Sequence, residues 1–331
     1  MSGALAPRIL IVETDRARTR LDQFLVAETA LEYSRSQVAR LIKAGRVTLN
    51  GSPARPSSLV RGGDRVEISS PLAPAVPVAP ACAPDIEVLF ADAEIIVVNK
   101  PAGMAVHHSV GHSHSTLVDA LLARFPELAA MVEPDALMRP GVVHRLDKDT
   151  SGLMVIARTP FARTALSRQF KERSVEKIYL AIVRGTIARD ELKIMRAIGR
   201  HPTERKRMSV HSRAPREALS HVRVLYRLTS LPIRTTVVIV RPETGRTHQI
   251  RVHLSSIGHP CLGDPLYGGA TGKDEPFFSS RQALHALALR LDHPRTGERL
   301  EYIAPLPDDL IAFFEKAKLG EAAVRKLAIA D

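Results

Sequence analysis

The segment H-R-L-D-K-D-T-S-G-L, from His144 to Leu153, gathers two carboxylates, three cationizable side chains, two hydroxyls and a glycine within ten residues. Asp147 lies between Arg145 and Lys148, in what reads as a loop joining two strands, where catalytic groups carried on a rigid sheet tend to sit. A free aspartate titrates near about 3.9, and neighbouring cations lower that value, so an ionized Asp147 is expected. Such a group suits a nucleophile or base and is poorly suited as a general acid. The competing expectation is structural: Asp147 or Asp149 capping a turn or pairing with arginine, a role that fits Asp149 before Thr-Ser-Gly.

Other chemistries lack their signatures. Gly268-Gly269-Ala270-Thr271-Gly272-Lys273-Asp274 has the wrong glycine spacing for a phosphate loop, and Asp274 stands where Ser or Thr would bind magnesium. There is no G-x-G-x-x-G after a strand, no G-x-S-x-G elbow and no H-E-x-x-H, so no cofactor is expected. His107, His108, His112 and His114 share a loop without carboxylate or thiolate, and Cys82 and Cys261 are isolated, so no metal site is assigned.

The chain that must position these groups has 331 residues, 45% hydrophobic and 25% charged, as in globular proteins. No apolar run approaches the roughly 18 residues needed to cross a bilayer, and Ile9 to Val12 is too short for a signal peptide. A cytoplasmic protein is expected, and with no coiled-coil stripe, a monomer. The net charge of +12 suits a polyanionic partner, first of all nucleic acid. With no Trp and 4% aromatics, backbone and shape recognition should outweigh base stacking.

Pro71 to Asp85 holds five prolines and no glycine, a semi-rigid spacer that divides the chain. The expected organization is an extension over 1–17, a small module over 18–70, the linker 71–85, a large domain over 86–318 and a tail over 319–331. In the module, helices starting near Thr19 and at the Ser34/Gln37 capping box precede a strand, R-V-T-L-N-G, ending in an Asn50-Gly51 turn. Arg35, Arg40 and Lys43 lie off that second helix's apolar stripe and, with Arg46, can face phosphates. After the linker, I-E-V-L-F, E-I-I-V-V-N-K-P, G-V-V-H, L-M-V-I-A-R, K-I-Y-L-A-I-V-R and R-T-T-V-V-I-V-R read as strands. They are not separated by regular helical crossovers, which points to an α+β fold with a mixed sheet. Between Arg196 and Arg227, nine arginines and lysines, among them Arg205, Lys206 and Arg207, face only Glu204 and Glu217, and are read as an arm that grips RNA.

The module resembles the alpha-L RNA-binding motif of the small-subunit ribosomal S-four protein, through R-L-D-Q-F-L, S-R-S-Q-V-A-R-L-I-K-A-G-R-V-T-L-N-G and G-D-R-V-E-I. The large domain resembles the RluA/RluD family of RNA pseudouridine synthases through H-R-L-D-K-D-T-S-G-L, and the family's other motifs recur in order. They are N-K-P-A-G-M-A-V-H, K-I-Y-L-A, E-T-G-R-T-H-Q-I-R-V-H, G-H-P-C-L-G-D-P-L-Y-G and L-H-A. His108 departs from the proline common after V-H. The resemblance implies an isomerase that detaches uracil from C1′ of its ribose, turns it and rejoins it through C5, on a uridine flipped out of its stack. It implies Asp147 as catalytic aspartate, leaving open attack on the base or the sugar. It also implies Tyr179 as the residue packed on the flipped base, with a role in moving the C5 proton, and Arg246 as the arginine paired with the aspartate. Arg145 is assigned to a phosphate or the vacated space, and Lys100, in N-K-P-A-G-M, to RNA. The implied substrate is 23S ribosomal RNA or a large-subunit precursor. Transfer RNA, a non-enzymatic RNA-binding assembly factor and a glycoside hydrolase using Asp147 with Asp149 are the alternatives.

Overall fold

The computed structural model describes residues 8–16, 18–28, 35–69, 83–107, 116–131, 140–204, 206–268, 278 and 281–320. Two compact units divide the chain, Met1–Val78 with Ala129–Met138, and Ala79–Leu128 with Arg139–Asp331. The cut falls inside the proline-rich stretch, of which residues 71–82 lie outside the described ones.

The first unit contains β1 (Arg8–Ile11), α1 (Leu21–Glu28), α2 (Arg35–Lys43), β2 (Val47–Leu49), β3 (Ser52–Pro53) and β4 (Arg65–Ile68). Its sheet runs β1-β4-β2-β3, all antiparallel. Leu21, Phe24 and Leu25 of α1 and Val38 and Ile42 of α2 bury their apolar stripes against Val47, Val60 and Val66. Asn50 and Gly51 both take positive φ, as a two-residue hairpin turn requires. The Asn50 side chain accepts from the Arg65 N–H and donates to Asp64, which pins the turn to β4. The expected extension over 1–17 is corrected here: Arg8–Ile11 pairs residue by residue with β4 and belongs to this sheet.

The second unit contains β5 (Glu87–Ala91), β6 (Ile95–Lys100), α3 (Leu117–Arg124), β7 (Ser151–Ala157), α4 (Pro160–Glu172), β8 (Glu176–Arg184) and β9 (Glu191–Met195). There follow β10 (Gly199–Arg200), β11 (Met208–Ser209), β12 (Leu219–Leu228), β13 (Thr235–Pro242), α5 (Gln249–Ser256), β14 (Leu284–Asp292), β15 (Arg299–Ile303) and α6 (Asp308–Lys316). Nine strands form one sheet in the order β5-β6-β7-β14-β8-β13-β12-β9, with β15 also on β14. The β7–β14 pair is parallel and the other pairs are antiparallel, so the fold is α+β with a mixed, mainly antiparallel sheet. Period-2 alternation sends Ile178, Leu180 and Ile182 of β8 to one face, under Leu310, Phe313 and Phe314 of α6. It sends Tyr179, Ala181 and Val183 to the other, under Ile250 and Leu254 of α5. The expected strand G-V-V-H makes only a single bridge, Val142 to Ile156. Gly141 turns at φ 69 and the His144 ring accepts the Val155 N–H, so the chain here leaves the ladder as a loop.

Candidate active site

On the α5 face of the sheet lies a cavity of about 610 Å³ lined by Asp147, Tyr179, Arg246, His248, Arg251 and Leu284, with Arg145, Lys171, Arg173 and Lys177 also on its wall. Asp147 sits in the loop entering β7, and this loop is pinned at every turn. Buried Lys100, at the end of β6, spends its three N–H donors on the carbonyls of Pro101 (2.8 Å), Met104 (2.9 Å) and Lys148 (3.0 Å). Arg281 donates to the Asp149 carbonyl while gripping Asp309 with two hydrogen bonds, and Gln282 donates to Thr150 Oγ1. His144 accepts the Val155 N–H through Nε2 and stacks on Phe170 at 4.6 Å between centroids. Burial, with Lys177 adding to it, holds the His144 pKa down to about 3, so its ring is neutral and a firm acceptor.

The carboxylate of Asp147 is met from α5. Arg251 Nη1 donates to its Oδ2 at 2.9 Å, and the same guanidinium donates through Nε and Nη2 to both oxygens of Asp264, at 2.7 and 2.9 Å. Asp264 is fully buried and also accepts from the N–H groups of Leu266 and Tyr267. Two carboxylates thus flank one buried guanidinium, whose pKa is raised because the pairing outweighs the cost of its burial. His248 Nε2 lies 3.8 Å from Asp147 Oδ1.

The predicted partnership of Asp147 with Arg246 is therefore corrected to Arg251. Arg246 lines the same cavity, but it precedes the helix, and its Nε donates to the Glu217 carbonyl at 3.0 Å. Arg251, in the first turn of α5, reaches the loop that carries Asp147. Both arginines stand in E-T-G-R-T-H-Q-I-R-V-H; helical phase was the signal that separates them, since only Arg251 lies within the helix that packs on the sheet. Gln249 fixes that phase, accepting from the Arg246 N–H and Thr244 and donating to the Leu219 carbonyl and Ser220. His248 and Asp264 stand in E-T-G-R-T-H-Q-I-R-V-H and G-H-P-C-L-G-D-P-L-Y-G, and neither has a local feature that marks it as a neighbour of Asp147 or Arg251.

Tyr179 faces the cavity from β8, and burial, together with the negative charge of Asp147, raises its pKa, so its hydroxyl stays protonated at neutral pH. Two residues earlier on the same strand face, Lys177 is lowered to about 8 by burial, with Arg173 adding to it. Lys100 is corrected too: with no exposed surface and all three donors occupied, it cannot reach RNA and instead holds the loop that carries Asp147.

The remaining cations are dispersed. Arg145 is exposed beside Asp147. Arg35 and Arg40 belong to α2, where Lys43 is exposed, and Arg46 follows, half-buried. The expected arm narrows to the β10–β11 hairpin: Arg223 and Arg227 belong to β12, and Arg227 is engaged with Asp190 and the Ile187 and Ala188 carbonyls. In the hairpin loop Lys206 is exposed, Arg207 pairs with Glu204 at 2.7 Å, and Arg205 lies outside the described residues. So do His108, His112 and His114; no cluster of metal-ligating side chains occurs among the described residues.

Residues 94–256 match the family model described as RNA pseudouridylate synthase, and residues 19–66 match the S4 domain. The chain is 43% identical to a ribosomal large subunit pseudouridine synthase D of Pseudomonas aeruginosa, over 88% of this chain and 90% of that one. It is 41% identical to an uncharacterized RNA pseudouridine synthase of Bacillus subtilis, over 90% and 94%. Among solved structures, human RNA pseudouridylate synthase domain containing 1 aligns with a TM-score of 0.55 at 32% identity, covering 69% of this chain and 86% of that one. With an S4 domain ahead of a sheet that carries Asp147 against α5, the chain belongs to the RNA pseudouridine synthases, isomerases that act on RNA.

Proposed function

We propose that this protein converts uridine to pseudouridine in 23S ribosomal RNA, with Asp147 as the nucleophile. The observation that carries the reading is the seating of Asp147: one oxygen is held by Arg251, itself locked on buried Asp264, in a cavity that also presents Tyr179. The carboxylate is oriented before substrate arrives, which lowers the reorganization needed for attack. A flipped uridine enters beside Tyr179, whose ring offers an apolar platform and whose protonated hydroxyl can donate. Asp147 attacks the sugar at C1′ or the uracil ring, the C1′–N1 bond breaks, uracil turns, the C1′–C5 bond forms, and as the bond to Asp147 breaks C5 gives up its proton and N1 takes one up, so the product is an isomer of the substrate. Neither redox equivalents nor net hydrolysis enter this sequence.

The ribosomal substrate is supported by relatives named ribosomal large subunit pseudouridine synthase D in Pseudomonas, Xanthomonas and Neisseria, 40–43% identical over most of the chain. Lys43 and Arg46 in the S4 domain, and Arg145 and Lys206 in the catalytic domain, supply contacts to phosphate. The test is release of tritium to water from ribosomal RNA labelled at uridine C5. Wild-type protein should release it and Asp147→Asn should not, while RNA affinity stays within about twofold. Equal release by the variant would remove Asp147 from the chemistry; release from transfer RNA alone would move the substrate.

A further inference from the structure

His248, directly before α5, sits at φ 55, a left-handed conformation that a side-chain-bearing residue holds only when its surroundings impose it. What imposes it is a chain of contacts through Tyr267. The Tyr267 hydroxyl accepts the Met208 backbone N–H at 2.9 Å and lies 2.7 Å from His248 Nδ1, to which it can donate its own proton. The two rings meet edge to face, with centroids 5.7 Å apart. An imidazole accepting at Nδ1 carries its hydrogen on Nε2, and Nε2 is the atom facing Asp147 Oδ1. Burial lowers the His248 pKa from its ordinary value, with the charges of Arg251 and Arg145 acting the same way and those of Asp147 and Asp264 opposing.

Tyr267 also sits between two guanidinium groups, Arg207 at 5.5 Å and Arg251 at 5.1 Å from its ring centroid. Met208 and Arg207 belong to the basic hairpin; Arg251 and His248 address the two oxygens of Asp147. One buried tyrosine thus touches both the hairpin and each partner of the aspartate.

We propose that Tyr267 and His248 are positioning residues that couple the seating of the basic hairpin on RNA to the orientation of Asp147. The inference rests on the reading of Asp147 as nucleophile. With the hairpin seated, Met208 holds the Tyr267 hydroxyl, Tyr267 fixes the Nε2–H form of His248, and that N–H closes on Oδ1 as substrate fills the cavity. A separation of 3.8 Å is of the kind that tightens in a working complex.

The test uses full-length protein. Nitrogen NMR of the histidine rings should find His248 in the Nε2–H form in wild type and as a tautomer mixture in Tyr267→Phe; the Nδ1–H form in wild type would overturn the proposal without any variant. Single-turnover tritium release at saturating ribosomal RNA should fall about tenfold in Tyr267→Phe, with the RNA dissociation constant changed less than about twofold. His248→Gln should fall comparably, and the double variant no further, because both act through one contact. A wild-type rate in Tyr267→Phe, a loss confined to RNA affinity, or additive losses would each overturn it. Absence of tritium release by wild type would instead remove the underlying reading, leaving the tautomer result to stand by itself.

Discussion

Asp147 and Arg251 are 104 residues apart in sequence and meet at 2.9 Å, the arginine arriving already bound by two hydrogen bonds to Asp264. The pair brings together the loop before β7 and the helix after β13. Because Asp264 is fully buried, Arg251 serves two ends: it orients the Asp147 carboxylate and it neutralizes a charge that could not otherwise be buried.

Arg251→Met should therefore cost both stability and turnover. Stranding the Asp264 carboxylate should destabilize the protein by about 3–5 kcal/mol, read from urea melts. Asp264→Asn combined with Arg251→Met should recover part of that stability, since the unpaired charge is gone, but none of the tritium release, since Asp147 stays unheld. Recovery of both would show that Arg251 matters only for folding.

Lys100 makes a prediction with a sign in pH. Burial pulls its pKa down to about 7, against the attraction of Asp149 and Asp147, while an unfolded lysine titrates near about 10.4. Between those values the unfolded chain binds a proton that the folded chain gives up, so this group makes stability rise with pH above 7. Lys177, at about 8, contributes with the same sign, so the diagnostic quantity is the difference from wild type. Lys100→Met should gain less stability than wild type between about pH 7 and about pH 9. It should also lose turnover at all pH values, because the Lys148 carbonyl next to Asp147 loses its partner. An unchanged pH slope would mean that Lys100 keeps an ordinary lysine pKa.

Short apolar runs made the sheet legible: E-I-I-V-V-N-K and K-I-Y-L-A-I-V-R became β6 and β8, strands buried along most of their length. The Asp147 loop was legible because its charges cluster locally. What stayed hidden depended on long-range pairing. Arg8–Ile11 opens a short apolar run, Ile9 to Val12, but its partner β4 starts beyond Asp64, and only that distant pairing makes it part of the sheet. Arg246 and Arg251 differ only in whether they fall before or within α5, and helix boundaries are the least certain element of a sequence reading. Lys100 looked like a phosphate contact because a lysine is usually exposed; only the convergence of three carbonyls from two chain segments makes its burial tenable.

The exposed cations should act on affinity through salt. Lys43→Ala in α2 and Lys206→Ala in the hairpin should each weaken binding of ribosomal RNA and lower the slope of log K against log salt by about 0.7–0.9. Asp147→Asn, which removes no cation, should leave the slope as in wild type. Filter binding across a salt series checks this; an unchanged slope for Lys206→Ala would take the hairpin loop out of contact with phosphate.

Gly152 marks where the loop becomes strand, and its replacement tests how rigidly β7 must carry Asp147. Its φ is 110, and a Cβ there would lie 2.2 Å from the backbone oxygen of Ala286, on the parallel neighbour β14. The obstacle is main chain within a sheet, so no side-chain rotation relieves it. Gly152→Ala should destabilize the protein by more than about 2 kcal/mol and push β7 away from β14. Since Gly152 also pairs with Lys100 across β6, the same displacement pulls on the lysine that holds the loop. Turnover in the fraction that remains folded should fall further than stability alone accounts for. Turnover falling only in step with the folded population would place the strain outside the Asp147 loop.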